Sequence, residues 1–379
     1  MKKTWFSISL CTICCFFNSQ LNANDNDSQL QHECTSWMVF SDLTKNNTNI
    51  LHKNRDSKSR NIAVTLSPAN SPRKYVAQGS GTSTNMAISA SGLAGVMNSG
   101  EKCINYSTND KGKSTPAILR VIIDSCDTAA QAVDKLRDIM KAGDYSHGEK
   151  GSIFFFCDIN EGYVCEVTAK DFSVMRYDKG YTVRANIWQN PGMQQLSRNT
   201  LSAYLNSANR MYVAMSQLNQ ALDKNGRIEI LDIFALSRHH KMPDGSADKR
   251  SVCFKNTNST SSLEIDRQYP DVLSTAYFTV GHPLHTIYVP VPVCVEKLYP
   301  GMSNQTWSKA AFERFEKYGL QDIPIEWEKF ERECMAKYFS VKAEARKLLD
   351  NGKHKEAVKL LNDTAYAIWS ETAKMLNVQ

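Results

Sequence analysis

A thiol, a cation and a carboxylate are spaced in this chain so that one hairpin would bring them together: Cys34, Lys53 and Asp56. A cysteine attacks a carbonyl as its thiolate, so it needs a base or a positive charge beside it. The apolar positions Trp37 and Val39, with Met38 and Phe40 less strictly, predict a strand that opens at Cys34. Residues 44–49 are polar and turn-forming, and Ile50-Leu51 predicts a short second strand that runs into the charged end Lys53-Asn-Arg-Asp56. Antiparallel pairing would return that end beside Cys34.

What precedes Cys34 suggests how its thiol is activated. Met1-Lys-Lys-Thr and the apolar run 5–17 read as a secretory leader, with Leu21-Asn-Ala23 as its cleavage site. The expectation is a signal peptide over 1–23, a short propeptide over 24–33 and a secreted or periplasmic protein. A second cut at Glu33–Cys34 would make Cys34 the N-terminal residue. A free α-amine has a pKa of roughly 7.7–8, against about 10.4 for lysine, so it is the better base at neutral pH. One residue then carries both nucleophile and base, which is the logic of an N-terminal nucleophile hydrolase.

Cys34-Thr-Ser followed by Lys53-Asn-Arg-Asp56 resembles the Cys-Thr…Arg-Asn-x-Asp signature of the cysteine N-terminal nucleophile hydrolases. That group holds the penicillin acyltransferase-like family, which the chain resembles most, with the choloylglycine hydrolases, penicillin V acylase, acid ceramidases and a related set of dipeptidases. Lys53 stands where the family usually has Arg. The resemblance runs over about 34–300 and implies an α+β fold, the four-layer αββα sandwich. The residues alone indicate mixed α and β with mostly antiparallel strands. The resemblance also implies oxyanion donors. Gly92-Leu93…Asn98 matches a segment that supplies a backbone amide, and Ala185-Asn186 takes the place of a Thr-Asn pair whose Asn side chain donates. Arg198 falls where the ceramidases carry an active-site Arg. Read from the residues alone, Gly92-Leu93 is equally a plain hairpin, Asn186 a satisfied buried Asn and Arg198 a helix-surface residue.

The elements that must position these groups follow from periodicity. Strands are predicted over 62–66, 85–89, 93–97, 153–156, 163–166, 172–177 and 181–188, the last carrying Asn186. A helix is predicted over 127–143, capped by Asp127, and others over 196–222 and 228–236. A second set of strands falls at 251–254, 261–265, 276–280 and 285–289. Glu166 interrupts an apolar strand, where it could pair with a cation near the site, although such a residue is more often at a strand end or in solvent. After Pro300 the composition turns charged and helical. This predicts a hydrolase domain over 34–300 and a helical extension over 301–379, with a helical hairpin turning at Asn351-Gly352.

Of eleven cysteines, three lie in the leader. Cys157 and Cys165 flank a tight turn and could face one another across a hairpin. His239-His240 reads as solvated, since adjacent residues cannot share one face. His282-x-x-His285 with Cys294 is the other metal-like set, but Pro283 breaks any helix that would align the imidazoles. No metal and no cofactor is expected. A net charge of +6 is spread along the chain without a basic stripe, so no nucleic-acid partner is expected, and no second segment has the length of a membrane span.

The leading function is an amidohydrolase that cleaves a small-molecule amide through an acyl-Cys34 intermediate. Asp56 fixes the amine, Lys53 adds positive charge, and Asn186 with a backbone amide near Asn98 holds the oxyanion. An acyltransferase would use the same residues, and a dipeptidase would need a site for a substrate amine. A non-catalytic binding protein is kept alive by Lys53, because lysine cannot reproduce a bidentate guanidinium contact. A papain-like Cys–His pair is the remaining rival, though no helix lies behind Cys34 to lower its pKa.

Overall fold

The computed structural model describes residues 32–104, 109, 111–146, 148–241 and 251–378. The expected leader, and the expected propeptide up to residue 31, lie outside the described residues. The chain runs β1 (His32–Val39), β2 (Asn49–Ser57), β3 (Ile62–Leu66), β4 (Tyr75–Ser80), β5 (Met86–Ser89) and β6 (Ala94–Lys102). Then come α1 (Thr115–Ser125), α2 (Ala129–Lys141), β7 (Lys150–Cys157), β8 (Gly162–Val167), β9 (Phe172–Tyr177) and β10 (Tyr181–Arg184). After these lie α3 (Leu201–Asn225), α4 (Ile230–Ser237), β11 (Thr257–Ile265), α5 (Pro270–Leu273), β12 (Thr275–Thr279) and β13 (Val289–Pro292). The chain closes with α6 (Pro300–Ser303), α7 (Thr306–Tyr318), α8 (Ile325–Asp350) and α9 (His354–Met375).

The strands form two antiparallel sheets, ordered β10-β1-β2-β11-β12-β13 and β3-β4-β5-β6-β7-β8-β9. They face one another, with β1 and β2 against β6 and β2 against β7. Helices α1 and α2 cover the outer face of the seven-stranded sheet. Helices α3 and α4 pack on β10 and β11, and α8 and α9 on β13. The architecture is therefore the α+β, helix–sheet–sheet–helix sandwich.

Strand β7 shows why the central runs are apolar without interruption. Ile153, Phe155 and Cys157 point into the core between the sheets, whereas Phe154 and Phe156 join the core under α1 and α2. A strand covered on both faces has no solvent side, so the period of two disappears from its hydropathy. Helix α2 keeps its period, burying Ala129, Ala132, Val133, Leu136 and Ile139 along one side.

Several elements depart from the sequence reading. Helix α1 was not anticipated. Thr128 caps α2 by accepting from Gln131 N–H, while Asp127 makes a two-pronged pair with Arg73 at 2.6 Å. The Ser251–Phe254 stretch is bent rather than a strand, and β13 begins only at Val289. Cys157 and Cys165 do not face each other. Cys157 pairs with Gly162 and Cys165 with Phe154, an offset that sends the two sulfurs to opposite faces of the sheet. All eight described cysteines are free. His240 is buried and donates from Nδ1 to the Arg238 carbonyl at 2.9 Å, contrary to the solvated reading. His282 and His285 donate to the carbonyls of Phe254 and Gly319 at 3.2 and 2.7 Å. Among the described residues no cluster of three metal-ligating side chains occurs.

Helices α8 and α9 form the expected hairpin, with Gly352 at φ 73°, a left-handed turn position that suits glycine. Their apolar residues belong to the same core as the six-stranded sheet. Trp369 Nε1 donates to Pro290 O at 2.9 Å. A buried ion pair ties α8 to the end of α4: both Arg238 guanidinium nitrogens reach Glu331 at 2.7 Å, and Tyr288 N–H donates to the same carboxylate at 2.6 Å. Glu331→Ala would strand the Arg238 charge in the interior. It is expected to cost about 3–5 kcal/mol of unfolding free energy, read from urea denaturation. Replacing both partners by apolar residues should cost less, and equal costs would show that the charges are not coupled.

Candidate active site

The charged end of the hairpin is not a loop. Strand β2 continues through Lys53, Asn54, Arg55 and Asp56 to Ser57, and every one of these residues is buried. It does so because β11 pairs on its other edge, which makes β2 interior to the sheet. Cys34 pairs with Arg55, Ser36 with Lys53 and Glu33 with Asp56. Side chains alternate along a strand, so Cys34, Ser36, Lys53 and Arg55 share one face, and Glu33, Thr35 and Asp56 share the other.

The first face looks between the sheets and holds the sulfur. Cys34 is 5% exposed. Lys53 donates from Nζ to the carbonyl of Met97 on β6. Burial pushes the Lys53 ammonium below its usual pKa, the Cys34 side chain opposes that shift, and the charge of Arg55 adds to it. Burial lowers Arg55 too, against the pull of Cys34 and Asp56. The Arg55 guanidinium donates to Asn258 Oδ1 at 3.3 Å. Asn258 sits at a β-bulge of β11, a device that re-aims side chains beside active sites.

The second face lies under α3, whose Arg210 reaches the backbone of Cys34. Arg210 of α3, fully buried, donates from Nη1 to Cys34 O at 2.7 Å and to Thr35 Oγ1 at 2.8 Å. Its Nη2 donates to Asn186 Oδ1 at 2.9 Å. The same Asn186 oxygen accepts the Cys34 N–H at 2.9 Å. Asp56 receives the Thr257 hydroxyl on Oδ1 at 2.7 Å, and its Oδ2 lies 3.9 Å from Arg210 without a hydrogen-bond partner. Burial pushes the Asp56 carboxyl up to about 8, with Arg210 and Thr257 pulling the other way and Glu33 adding to the rise. Glu33 itself lies 3.4 Å from Arg210 Nη2 and accepts from Asn206 Nδ2.

Asn186 is not on a strand, since β10 ends at Arg184. It sits on a loop that is pinned from two sides. The Glu166 carboxylate accepts the backbone N–H groups of Gln189 and Asn190 at 2.9–3.0 Å. Trp188 lies flat against Gly100 and Gly151, where an added Cβ would come within 2.2 and 2.7 Å of the indole, so only glycine fits at either place. Asn186 Nδ2 donates to Ser99 O at 2.7 Å. Asn98 is fully buried, accepts the Ser36 hydroxyl at 2.8 Å and donates to Ala185 O at 3.3 Å. It therefore ties β6 to β1 and to the Asn186 loop.

Cys34, Lys53, Asp56, Asn186 and Asn98 thus converge on one site. Arg198 does not join them. It precedes α3 with an exposed side chain, its backbone N–H on Lys102 O at 2.7 Å, and the guanidinium at Cys34 belongs to Arg210. Arg55, Arg210 and Glu33 were missed, whereas Glu166 has the cation partner that its position left open, Arg184 at 3.7 Å. Arg55 was legible in principle, because a strand extended to Asp56 puts it on the face of Cys34. The imidazole of His52 lies on the other face, stacked on Trp37 at 4.0 Å and bonded to Ser262 and Asn54, which removes a papain-like pair with that residue.

Asp56 makes stability depend on pH in a definite direction. An unfolded Asp titrates near 3.9, whereas the folded chain holds this proton up to about 8. The native state therefore binds the extra proton over that window, and the stability this group contributes, full below about pH 4, is lost as pH rises through about 8. In a Cys34→Ala chain, which retains Glu33, unfolding free energy should fall more steeply toward alkaline pH than in the Cys34→Ala/Asp56→Asn chain. Parallel pH profiles from urea denaturation would contradict this.

Similar proteins were found at the levels of family and fold. No protein of curated function matches the chain. Among solved structures it is similar to a variant of the conjugated bile acid hydrolase from Clostridium perfringens, with 11% identity, 70% of this chain and 94% of that chain covered and a TM-score of 0.48. It is also similar to penicillin V acylase from Agrobacterium tumefaciens, at 15% identity, 68% and 86% coverage and a TM-score of 0.45. A third is the N-acylethanolamine-hydrolyzing acid amidase ortholog of Caenorhabditis elegans, at 15% identity, 63% and 94% coverage and a TM-score of 0.40. The model of one family matches residues 43–233, half of the chain, including Lys53, Asp56, Asn186 and Arg210. The chain belongs to that family, the acyl-coenzyme A:6-aminopenicillanic acid acyl-transferases.

Proposed function

We propose that this chain is an amide-cleaving enzyme whose nucleophile is the Cys34 thiol, made N-terminal by removal of residues 24–33 after export. One arrangement carries the reading. The nitrogen of Cys34 is held by Asn186 Oδ1 while two cations, Lys53 and Arg55, face its sulfur. Once the Glu33–Cys34 bond is cut, that nitrogen is an amine and takes the thiol proton. The orphaned Oδ2 of Asp56 is the acceptor that fixes the resulting ammonium.

The thiolate then attacks the substrate carbonyl. Asn186 Nδ2 carries two hydrogens, of which Ser99 O takes one, and the second stabilises the oxyanion together with a backbone amide beside Asn98. The ammonium returns its proton to the leaving amine, and acyl-Cys34 remains. Water releases the acid. An amine in place of water gives transfer, the reaction named in the family's description, so transfer is the second reading.

The test is the mass of the purified protein together with its products. Active material should begin at Cys34. Cys34→Ala should keep Glu33 and show no turnover on N-acyl amides. Active material that begins at residue 24 would refute the mechanism. Adding hydroxylamine as competing acceptor then divides hydrolysis from transfer by the ratio of acid to hydroxamate.

A further inference from the structure

In self-cleavage the attacked carbonyl is that of Glu33, so Glu33 is the first acyl group the site handles. The balance is simple. Cys34 Sγ bonds to the Glu33 carbonyl carbon, the Glu33–Cys34 C–N bond breaks, and the freed nitrogen takes the thiol proton. Water then cleaves the thioester, restoring the thiol and leaving Glu33 as a carboxylic acid. The contacts of the Glu33 side chain therefore describe an acyl-side subsite.

Those contacts are built for an anion. Glu33 is 8% exposed. Asn206 Nδ2 of α3 lies 3.5 and 3.3 Å from its two oxygens, and Arg210 Nη2 lies 3.4 Å from Oε2. Asn206 and Arg210 are 5% and 0% exposed. The other carboxyl nearby is Asp56, which pairs with Glu33 across β1 and β2. When the propeptide leaves, Asn206 Nδ2 loses its acceptor, while Asn206 Oδ1 still accepts Arg210 Nε at 3.3 Å. A buried donor left unpaired costs about 1–3 kcal/mol, so a ligand that restores the carboxylate is favoured over one that cannot.

We propose that the mature site selects acyl groups that end in a carboxylate at the reach of a glutamate side chain, the glutaryl type, held by Asn206 and Arg210. This rests on the amidase reading above and adds the substrate class to it.

The experiment compares glutaryl and pentanoyl p-nitroanilides with mature protein that begins at Cys34. The glutaryl substrate should lead at least tenfold in kcat/KM, carried by KM. Asn206→Asp keeps an acceptor for Arg210 and sets a negative charge where Nδ2 was, so it should erase that lead. Binding is read separately, as the Tm rise given by glutarate against glutaramide. Equal shifts, or a pentanoyl substrate cleaved as well as the glutaryl one, would overturn the inference. No turnover of either anilide with a Tm rise given only by glutarate would sink the amidase reading and leave the subsite standing.

Discussion

One buried guanidinium organises the site. Arg210 has no exposed surface, yet it reaches Cys34 O, Thr35 Oγ1 and Asn186 Oδ1, with the carboxyl groups of Asp56 and Glu33 beside it. A charge so far from water is tolerable only where acceptors surround it. Its acceptors are the backbone and neighbours of Cys34. The folding requirement and the positioning requirement are therefore the same requirement. Any shift of α3 against β1 would leave the cation unsatisfied, so the helix holds the strand end in register from outside the sheet.

The pleat of the sheet then divides the labour. Lys53 and Asp56 are three residues apart, an odd number, so they cannot share a face of β2. Lys53 and Arg55 lie on the face of Cys34 that looks between the sheets, and Asp56 lies on the face under α3, beside Arg210. Asn186 bridges the two sides through its oxygen on the Cys34 nitrogen and its NH₂ on Ser99. Strand alternation thus gives the two sides of Cys34 different company without separate elements.

The fold was legible where side chains alternate or recur at helical period, as in α2 and the β5–β6 hairpin. It was less legible where burial on both faces erased the pattern. Strand β2 is the instructive case. Lys53-Asn-Arg-Asp56 reads as a solvated end, because a charged run usually is one. Here it is a central strand, because its charges are answered by Met97 O, Asn258, Thr257 and Arg210, all more than forty residues away in the chain. Glu166 is held by distant groups in the same way, with Arg184 at 3.7 Å as the cation. Its hydrogen-bond partners are backbone N–H groups of the Asn186 loop, and no side-chain pattern announces those. Cys34, Lys53, Asp56 and Asn186 were readable because chemistry and resemblance both pointed to them. Arg210 was not, since it lies twelve residues beyond the Arg198 favoured by spacing, and only the packing of α3 brings it to Cys34.

Lysine at position 53 is the departure that had left a non-catalytic reading open. Its environment answers the objection. A guanidinium fork makes its case by binding two acceptors at once, whereas Lys53 needs only one donor, on Met97 O, and its charge and the Cys34 side chain act on one another. The second positive charge at that thiol comes from Arg55, directly across the ladder from Cys34 and aimed by the bulge at Asn258. The field at the sulfur is thus set by two side chains two residues apart on one strand. That spacing is what a pleated strand requires for both to face the same atom, so losing arginine at position 53 does not leave the sulfur without a guanidinium.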